Sequence, residues 1–281
     1  MDDGKNKVEL LKEYFKKRDD IVMAFLFGSR TKNSSHSQSD WDIAIYLKPD
    51  KQYVEIEEQD RAYEQEDVIW NDCIKILNTD NVDLIILNRA PVNISDTAIR
   101  GKTLIIKDHT LYLLFMLAVT REAEDYRKFV NEYYSISQRS TSFSSADRVI
   151  LQKSISFVEE QMTLYPYFNN LTLKEYTANI HKRNDVERWV ENIVNAVIDM
   201  SKIILASRHK IIPDTYREVI VRALVILKLS ENYISKFEKW IKLRNILAHE
   251  YLDIRWGRIE DFIKTSEPVV NDFLSSLKTY L

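Results

Sequence analysis

The chain contains the stretch Ala24-Phe25-Leu26-Phe27-Gly28-Ser29-Arg30 and, after a polar segment, the stretch Ser39-Asp40-Trp41-Asp42-Ile43-Ala44-Ile45. Each stretch has the apolar run that is typical of a strand, and the first run ends in a glycine-serine turn. Because side chains along a strand point alternately to its two faces, Asp40 and Asp42 project to one face and Trp41 to the other. The two stretches therefore predict two strands, the second with a pair of carboxylates at its start.

These residue types suit the binding of a metal ion and a phosphate. Paired carboxylate oxygens are the ligands that hard cations such as Mg²⁺ prefer, and Mg²⁺ in turn binds phosphates. Gly28 lets the backbone approach a phosphate closely, and Ser29, at the expected start of a helix, donates hydrogen bonds. Arg30 has two interpretations, a phosphate contact or a surface charge. We therefore take Gly28, Ser29 and Arg30 as candidate nucleotide-binding residues.

A third carboxylate lies in a later short apolar stretch, Asn81-Val82-Asp83-Leu84-Ile85-Ile86-Leu87. If this strand neighbours the one that follows Asp40, three carboxylates can hold two metal ions in line for phosphoryl or nucleotidyl transfer. The alternative is that Asp83 is a solvated residue at the start of an apolar strand. Asp40, Asp42 and Asp83 are the candidate catalytic residues and metal ligands of this half.

The pattern of Gly28-Ser29, ten intervening residues, Asp40-x-Asp42 and a later strand Asp resembles the minimal nucleotidyltransferases of the DNA polymerase β superfamily. The likeness covers about the first half of the chain. It implies a nucleoside triphosphate as substrate and Mg²⁺ as cofactor. The sequence departs from the family at residues 31–38, where a more usual Arg- and Gly-containing segment is replaced, and this departure leaves the substrate open.

Composition indicates a soluble globular protein of about two domains. The chain has 281 residues, of which 45% are hydrophobic and 30% charged. Its net charge of −3 lacks the strongly basic balance that is typical of nucleic-acid-binding proteins. The single cysteine, Cys73, forms no intramolecular disulfide, and we expect it to be an ordinary packed residue. The longest apolar run is shorter than a spanning helix, which needs about 20 residues, and no apolar signal segment opens the chain. We therefore expect a cytoplasmic protein with no membrane partner.

Hydrophobic periodicity predicts alternating helices and strands in the first half. The predicted elements are a helix over 8–17, strands over 21–27, 40–47 and 82–87, a helix within 55–77, a turn and strand over 99–106 and a long helix over 113–134. Residues 32–39 are predicted to be a loop. This alternation predicts a small mixed sheet with helices packed on it.

The second half is predicted to be a bundle of five antiparallel helices. A serine-rich stretch precedes it, so we divide the chain into a nucleotidyltransferase domain over 1–138, a linker over 139–145 and a helical bundle over 146–281. Capping signals mark two of its helix starts, Ser144-x-x-Asp147 and Thr172-x-x-Glu175. From Val186 onward, apolar residues at three- and four-residue steps indicate a long amphipathic helix.

Within the bundle, the cluster Arg244-Asn245-Ile246-Leu247-Ala248-His249-Glu250-Tyr251 resembles the active motif of HEPN ribonucleases, in particular the HepT toxins. The resemblance implies metal-independent RNA cleavage by Arg244 and His249, in a groove between two protomers, and hence a homodimer through this domain. An Arg steadies a scissile phosphate, and a His with a pKa near neutral moves a proton. The alternative is that the pattern arises by chance and His249 is a solvent-side or helix-capping histidine. On an ideal helix five residues turn the direction by about 140°, so a long Arg side chain, a helix distortion or a second protomer has to bring Arg244 and His249 together.

Together the halves resemble an MntA-type antitoxin and a HepT-type toxin joined on one chain. The expected fold class is α+β, with a polymerase-β-like nucleotidyltransferase of mixed sheet and helices followed by an all-α HEPN bundle. In that family the antitoxin transfers AMP from ATP to the motif tyrosine of the toxin. The resemblance thus implies Mg²⁺-dependent adenylylation of Tyr251, which silences cleavage of RNA.

Two alternatives remain at the level of the sequence. Aminoglycoside adenylyltransferases also pair this catalytic fold with a helical domain, so the bundle can instead line a cleft for a small molecule. The second alternative is a protein without enzymatic activity, namely an assembly module whose sites have decayed. The intact carboxylates and the intact Arg244 and His249 argue against decay.

Overall fold

The structure is a computed structural model that describes residues 2–31, 40–49, 54–58, 61–139, 143–208, 210–249 and 256–281. The chain divides into two compact units, Met1–Asp125 and Tyr126–Leu281. This division falls within one helix. The helix ends at Arg139, the first residue of the predicted linker over 139–145, and residues 140–142 lie outside the described ranges, so the linker stays a prediction. The predicted fold class is confirmed, since a mixed sheet with helices is followed by a helical region.

The first unit is a four-stranded sheet with helices on it. Its elements are α1 (Asp2–Lys17), β1 (Ile21–Phe27), a short 3₁₀ helix (Gly28–Thr31), β2 (Trp41–Leu47), α2 (Glu66–Leu77), β3 (Val82–Ile86), α3 (Val92–Ile99), β4 (Lys102–Ile106) and the start of α4 (His109–Arg139). The strand order is β3-β2-β1-β4. β1 pairs antiparallel with β2 and β4, and β2 pairs parallel with β3, so the sheet is mixed as predicted.

Helices cover the central strands on both faces. All seven residues of β1 are buried, which explains why its sequence is a continuous apolar run instead of an alternating one. On one face Leu11 of α1 and Cys73 of α2 belong to the same buried cluster as Ile43 of β2. On the other face Phe115 of α4 packs against Tyr46 of β2, with ring centroids 4.8 Å apart. Cys73 is thus a packed core residue, as the sequence predicts.

A buried polar network ties the ends of β2 and β3 together. The side chain of Asn88 is fully buried, and its Oδ1 accepts a hydrogen bond from the backbone N–H of Leu47 at 2.8 Å. Its Nδ2 donates to the backbone oxygen of Leu47 at 3.0 Å and to Glu55 at 2.9 Å. Glu55, also buried, forms an ion pair with Arg61. One amide therefore satisfies a backbone donor, a backbone acceptor and a carboxylate.

The sequence prediction missed one helix and placed the end of another too early. The short helix α3 was not predicted, and α4 is 31 residues long and continues into the serine-rich stretch. Serine is compatible with that helix because the hydroxyl of Ser135 donates to the backbone oxygen of Asn131 and that of Ser137 to the backbone oxygen of Tyr134. Serine content alone therefore does not end the helix.

The second unit is helical in its described residues. After the end of α4 it contains α5 (Ser145–Met162), α6 (Tyr165–Asn169), α7 (Leu173–Ala178), α8 (Ile180–Ala206), α9 (Tyr216–Ile226), a 3₁₀ turn (Glu231–Tyr233), α10 (Ile234–His249) and α11 (Trp256–Tyr280). Both predicted capping boxes form, at Ser144 and at Thr172. Five helices were predicted, and the described residues of this unit form seven after the end of α4. The two additional helices are α6, which contains Pro166, and α7, and both lie between α5 and α8.

Aromatic side chains form the centre of the bundle. Trp189 of α8 and Trp240 of α10 both contact Phe262 of α11, with ring centroids 5.5 Å and 4.9 Å apart. Leu243 and Leu247 of α10 are buried as well. None of the helices in the described ranges combines the length and the apolar character that crossing a bilayer requires.

We expect Asn88→Ala to lower the free energy of unfolding by about 3 kcal/mol, because it leaves the backbone groups of Leu47 and the Glu55 carboxylate buried with fewer partners. Urea denaturation of the full chain measures this change. Asn71→Ala is the matched control, since Asn71 is exposed on α2 and donates only to the backbone oxygen of Asp67. Equal effects of the two substitutions would contradict the importance of the network.

Candidate active sites

The parallel pairing of β2 with β3 brings two of the predicted carboxylates together. Asp42 and Asp83 are direct partners in the register of the two strands, as are Trp41 and Val82 before them. Paired residues of parallel strands project to the same face, so the carboxylates lie side by side while Trp41 and Val82 are buried in the core on the other face. Asp42 is half-buried and Asp83 exposed.

The third predicted carboxylate, Asp40, is exposed and lies just before β2 rather than within it. Burial, together with the negative charges of Asp83 and Asp40, raises the pKa of the Asp42 carboxyl. In the part of the chain that the structure describes, no three His, Cys, Asp or Glu side chains stand close enough together to hold a metal ion. The sheet therefore juxtaposes Asp42 and Asp83, and Asp40 adds its charge to theirs.

Gly28 is required by the position of Asp42. Its neighbour Phe27 pairs with Asp42 across the β1–β2 ladder, and Gly28 itself has a φ of +73°. A Cβ atom at this position would lie 2.0 Å from Oδ2 of Asp42, far inside van der Waals contact. The absence of a side chain at residue 28 therefore leaves the space that the Asp42 carboxylate occupies.

The residues after Gly28 begin a short 3₁₀ helix, close to the helix start expected from the sequence. Ser29 is exposed there. Arg30 donates from Nε to the backbone oxygen of Asp40 at 3.1 Å, and its guanidinium carbon lies 4.3 Å from the centroid of the Trp41 ring. Arg30 thus contacts the beginning of β2, and its role as a nucleotide contact stays a prediction. The predicted loop over 32–39 lies outside the described residues.

The second candidate site centres on Arg244, which is half-buried on α10. Its Nε donates to Oδ1 of Asn195 on α8 at 2.7 Å, and its Nη1 donates to Oδ1 of Asn245 at 3.2 Å. Its guanidinium carbon lies 5.6 Å from the centroid of the Tyr216 ring, at the start of α9. Three helices of the second unit therefore contribute contacts to this one side chain.

The other motif residues are placed less completely. His249 is the last residue of α10, and its side chain lies outside the described residues. Tyr251 lies outside them altogether. The roles of His249 and Tyr251, and their placement relative to Arg244, therefore stay predictions.

Sequence reasoning missed two residues that contact Arg244. Asn195 is a half-buried amide between the buried residues Val194 and Ala196 of α8, and it lies off the apolar stripe predicted for that helix, so the stripe did not indicate its contact with Arg244. Tyr216 is buried and packs edge-on against Tyr126 and Phe129 of α4. Both lie on helices that the sequence predicted, but their contact with Arg244 depends on how those helices pack.

Comparison with known families matches each half of the chain separately. Residues 9–110 match the family model for polymerase beta, nucleotidyltransferase. Residues 151–277 match the family model for ribonuclease HepT-like. A search of curated proteins finds no match to this chain.

The chain is therefore a fusion of a polymerase-β-type nucleotidyltransferase domain with a HepT-like ribonuclease domain. The matches support enzymatic activity and a toxin–antitoxin-like fusion. The first family suggests a nucleoside triphosphate substrate and use of a divalent metal, and the second suggests RNA as a substrate. The carboxylates fit such a metal, because a bound cation would favour the ionised form of Asp42, whose pKa is raised by burial and by the negative charges of Asp83 and Asp40.

We expect Gly28→Ala to reduce nucleotidyl transfer at least tenfold, because the new Cβ must displace the Asp42 carboxylate or the backbone. Release of pyrophosphate from ATP with Mg²⁺ measures the change. Gly257→Ala is the matched control, since a Cβ at residue 257 would meet no atom within 4 Å. An active Gly28→Ala variant would show that the close approach of Gly28 to Asp42 is dispensable.

Proposed function

We propose that this chain is a fused toxin–antitoxin protein whose nucleotidyltransferase domain transfers AMP from ATP to Tyr251 and thereby silences an RNA-cleaving site. The observation that carries the proposal is the pairing of Asp42 with Asp83, with Gly28 leaving room for the Asp42 carboxylate, in a domain of the nucleotidyltransferase family. The second domain, of the HepT-like family, supplies Tyr251 within the Arg244 motif.

In the first domain, the paired Asp42 and Asp83 would hold Mg²⁺, whose chemistry is to neutralise the charge of the triphosphate, and Asp40 adds its negative charge to theirs. Gly28 leaves the space that the Asp42 carboxylate occupies, and Ser29, which is exposed, can donate from its hydroxyl to a phosphate. Arg30, fixed against Trp41, adds positive charge at the start of β2. These residues bind and orient the nucleotide.

The transfer joins the phenolic oxygen of Tyr251 to the α-phosphorus of ATP. The bond from that phosphorus to the oxygen bridging to the β-phosphorus breaks, and pyrophosphate leaves. The phenolic proton passes to solvent, because an ordinary tyrosine has a pKa of about 10 and carries this proton at neutral pH. The products are adenylylated Tyr251 and pyrophosphate.

In the second domain, Arg244 contacts the scissile phosphate of RNA and His249 moves a proton, of the attacking 2′-hydroxyl or of the leaving oxygen. The bond to Asn195 and the packing against Tyr216 hold the Arg244 guanidinium in place. Adenylate on Tyr251, two residues from His249, adds bulk and negative charge where an RNA phosphate must bind. Repulsion and exclusion then account for the silencing.

The proposal includes a homodimer through the HEPN domain. Arg244 and His249 are five residues apart on α10, and an ideal helix turns by about 140° over that spacing. A groove between two protomers allows the Arg of one copy to meet the His of the other. We assign the protein to the cytoplasm, where ATP and RNA are available.

We expect incubation of the full chain with Mg²⁺ and ATP to add adenylate to Tyr251, detected by mass spectrometry of the peptide that contains it. Asp42→Ala abolishes the addition, because one of the paired carboxylates is lost. Tyr251→Phe is the control for the acceptor, since it removes the phenolic oxygen and leaves the carboxylates unchanged.

Failure to label any residue of the intact chain would overturn the adenylylation proposal. Transfer of AMP to an added aminoglycoside, with no label on the protein, would support the small-molecule alternative instead. Binding of nucleotide without any turnover would favour a decayed assembly module.

We expect the full chain, kept free of adenylate by Asp42→Ala, to cleave single-stranded RNA in buffer containing EDTA. Adding His249→Ala should lower the rate by at least a hundredfold, because general acid–base catalysis contributes about that much. Arg244→Lys should also lose most activity, since lysine keeps the charge but not the planar fork. Gel analysis of a labelled RNA measures all three proteins, and equal rates would contradict the assignment.

A further inference from the structure

A cleft of about 340 Å³ lies between α5 and α8 in the second unit, outside the Arg244 motif. Its walls include Ile150, Lys153 and Phe157 of α5 and Asn192, Asn195 and Asp199 of α8. On each helix these residues are three and seven apart, so each set lies along one helix face. The two faces form opposite walls of one groove, and its volume lies in the range of small-ligand sites.

The cleft is connected to the candidate RNA-cleaving site by a single side chain. Asn195 lines the cleft, and its Oδ1 accepts the hydrogen bond from Nε of Arg244 at 2.7 Å. A ligand in the cleft that touches Asn195 is therefore one residue away from the guanidinium proposed to hold the scissile phosphate. A nucleotide next to the cleaved bond would occupy such a position.

The side chains of the cleft are those that bind an unpaired nucleotide. Phe157 is 40% exposed although it is a large apolar residue, and it offers a ring on which a base can stack. Lys153 is exposed one helical turn before Phe157 and lines the same cleft. Asn192, on the opposite wall, donates from Nδ2 to Oε1 of Gln161 at 3.2 Å, and its Oδ1 can accept a hydrogen bond from a base.

The acidic wall residue, Asp199, is paired with a lysine of its own helix. Oδ1 of Asp199 lies 2.9 Å from Nζ of Lys202 in an ion pair, and Lys202 is almost completely buried. Lys202 also pairs with Glu132 of α4. Lys153 thus supplies the exposed positive charge on the α5 wall, as a phosphodiester requires.

We propose that this cleft binds one nucleotide of single-stranded RNA next to the scissile phosphate, with the base stacked on Phe157 and a backbone phosphate on Lys153. The proposal rests on the proposed ribonuclease function, since it takes Arg244 as the contact to the cleaved phosphate. It assigns substrate recognition to residues outside the Arg244–Tyr251 motif, on two other helices. The site is tolerant of sequence, because every base has a face that can stack.

The test uses the full chain with Asp42→Ala and His249→Ala, which leaves RNA uncut and the protein without adenylate. Fluorescence anisotropy with a labelled single-stranded uridine octamer measures Kd. We expect Phe157→Leu to raise Kd about tenfold and Phe157→Trp to restore it. Lys153→Ala should raise Kd and lower the slope of log Kd against log salt by about 0.7, the effect of one lost phosphate contact.

Matched controls lie on short helices outside the cleft. Tyr167→Leu removes another exposed aromatic ring, from α6, and Lys174→Ala removes another exposed lysine, from α7. Neither should change Kd or the salt slope. A 4-thiouridine version of the RNA, crosslinked by light and mapped by mass spectrometry, should label the peptide that contains Phe157.

The outcomes separate this inference from the function on which it rests. RNA cleavage that depends on His249, with Kd and crosslinks unchanged by the Phe157 and Lys153 variants, overturns the cleft site alone. Failure of any form of the chain to bind or cleave RNA overturns both. A Phe157→Leu variant that binds RNA normally but sediments as a smaller species shows that the cleft is an interface with a second copy, and this also overturns the inference.

Discussion

The register between two parallel strands is the constraint on which the nucleotidyltransferase site depends. Because β2 and β3 pair with Asp42 opposite Asp83, two acidic side chains are forced onto one face at adjacent positions. The antiparallel partner β1 then places Phe27 opposite Asp42, and the next residue has to be a glycine for the carboxylate to fit. A slip of one residue would send Asp42 to the face that Trp41 now fills, and the acidic pair would be lost.

This arrangement costs stability and is held by the surrounding core. The raised pKa of Asp42 shows that the ionised carboxylate is disfavoured by burial and by its acidic neighbours. The strands that carry it cannot separate easily, since β1 is buried along its whole length and Asn88 joins the far end of β2 to the segment after β3. Ionisable groups with shifted pKa values of this kind are common at functional sites.

The sequence predicted the sheet well because its signals are local. β1 is a continuous apolar run, and Asp42 and Asp83 each interrupt an apolar strand at its beginning, so strand positions and candidate ligands could be read together. The helix α3 escaped prediction because it is short and contains Asn93 and Ser95, which favour turns. Its neighbour Pro91, at the N-cap, was the available sign of a helix start.

The surroundings of Arg244 show where sequence reasoning stops. A motif of four intervening residues can be seen in one helix, but the partner that binds its arginine, Asn195, is 49 residues away along the chain. No periodicity links two such positions, since the contact depends on the packing of α10 against α8. The placement of His249 and Tyr251 stays a prediction, as does the linker over 139–145.

The contact of Arg30 with the start of β2 has a consequence for how this domain can diversify. Arg30 reaches across to the backbone of Asp40 and to the ring of Trp41, so the two ends of the intervening segment are fastened to each other. The entropy of closing a loop grows only slowly with its length. Evolution can therefore lengthen, shorten or rewrite that segment to accept a new acceptor molecule, while Asp42 and Asp83 keep their position.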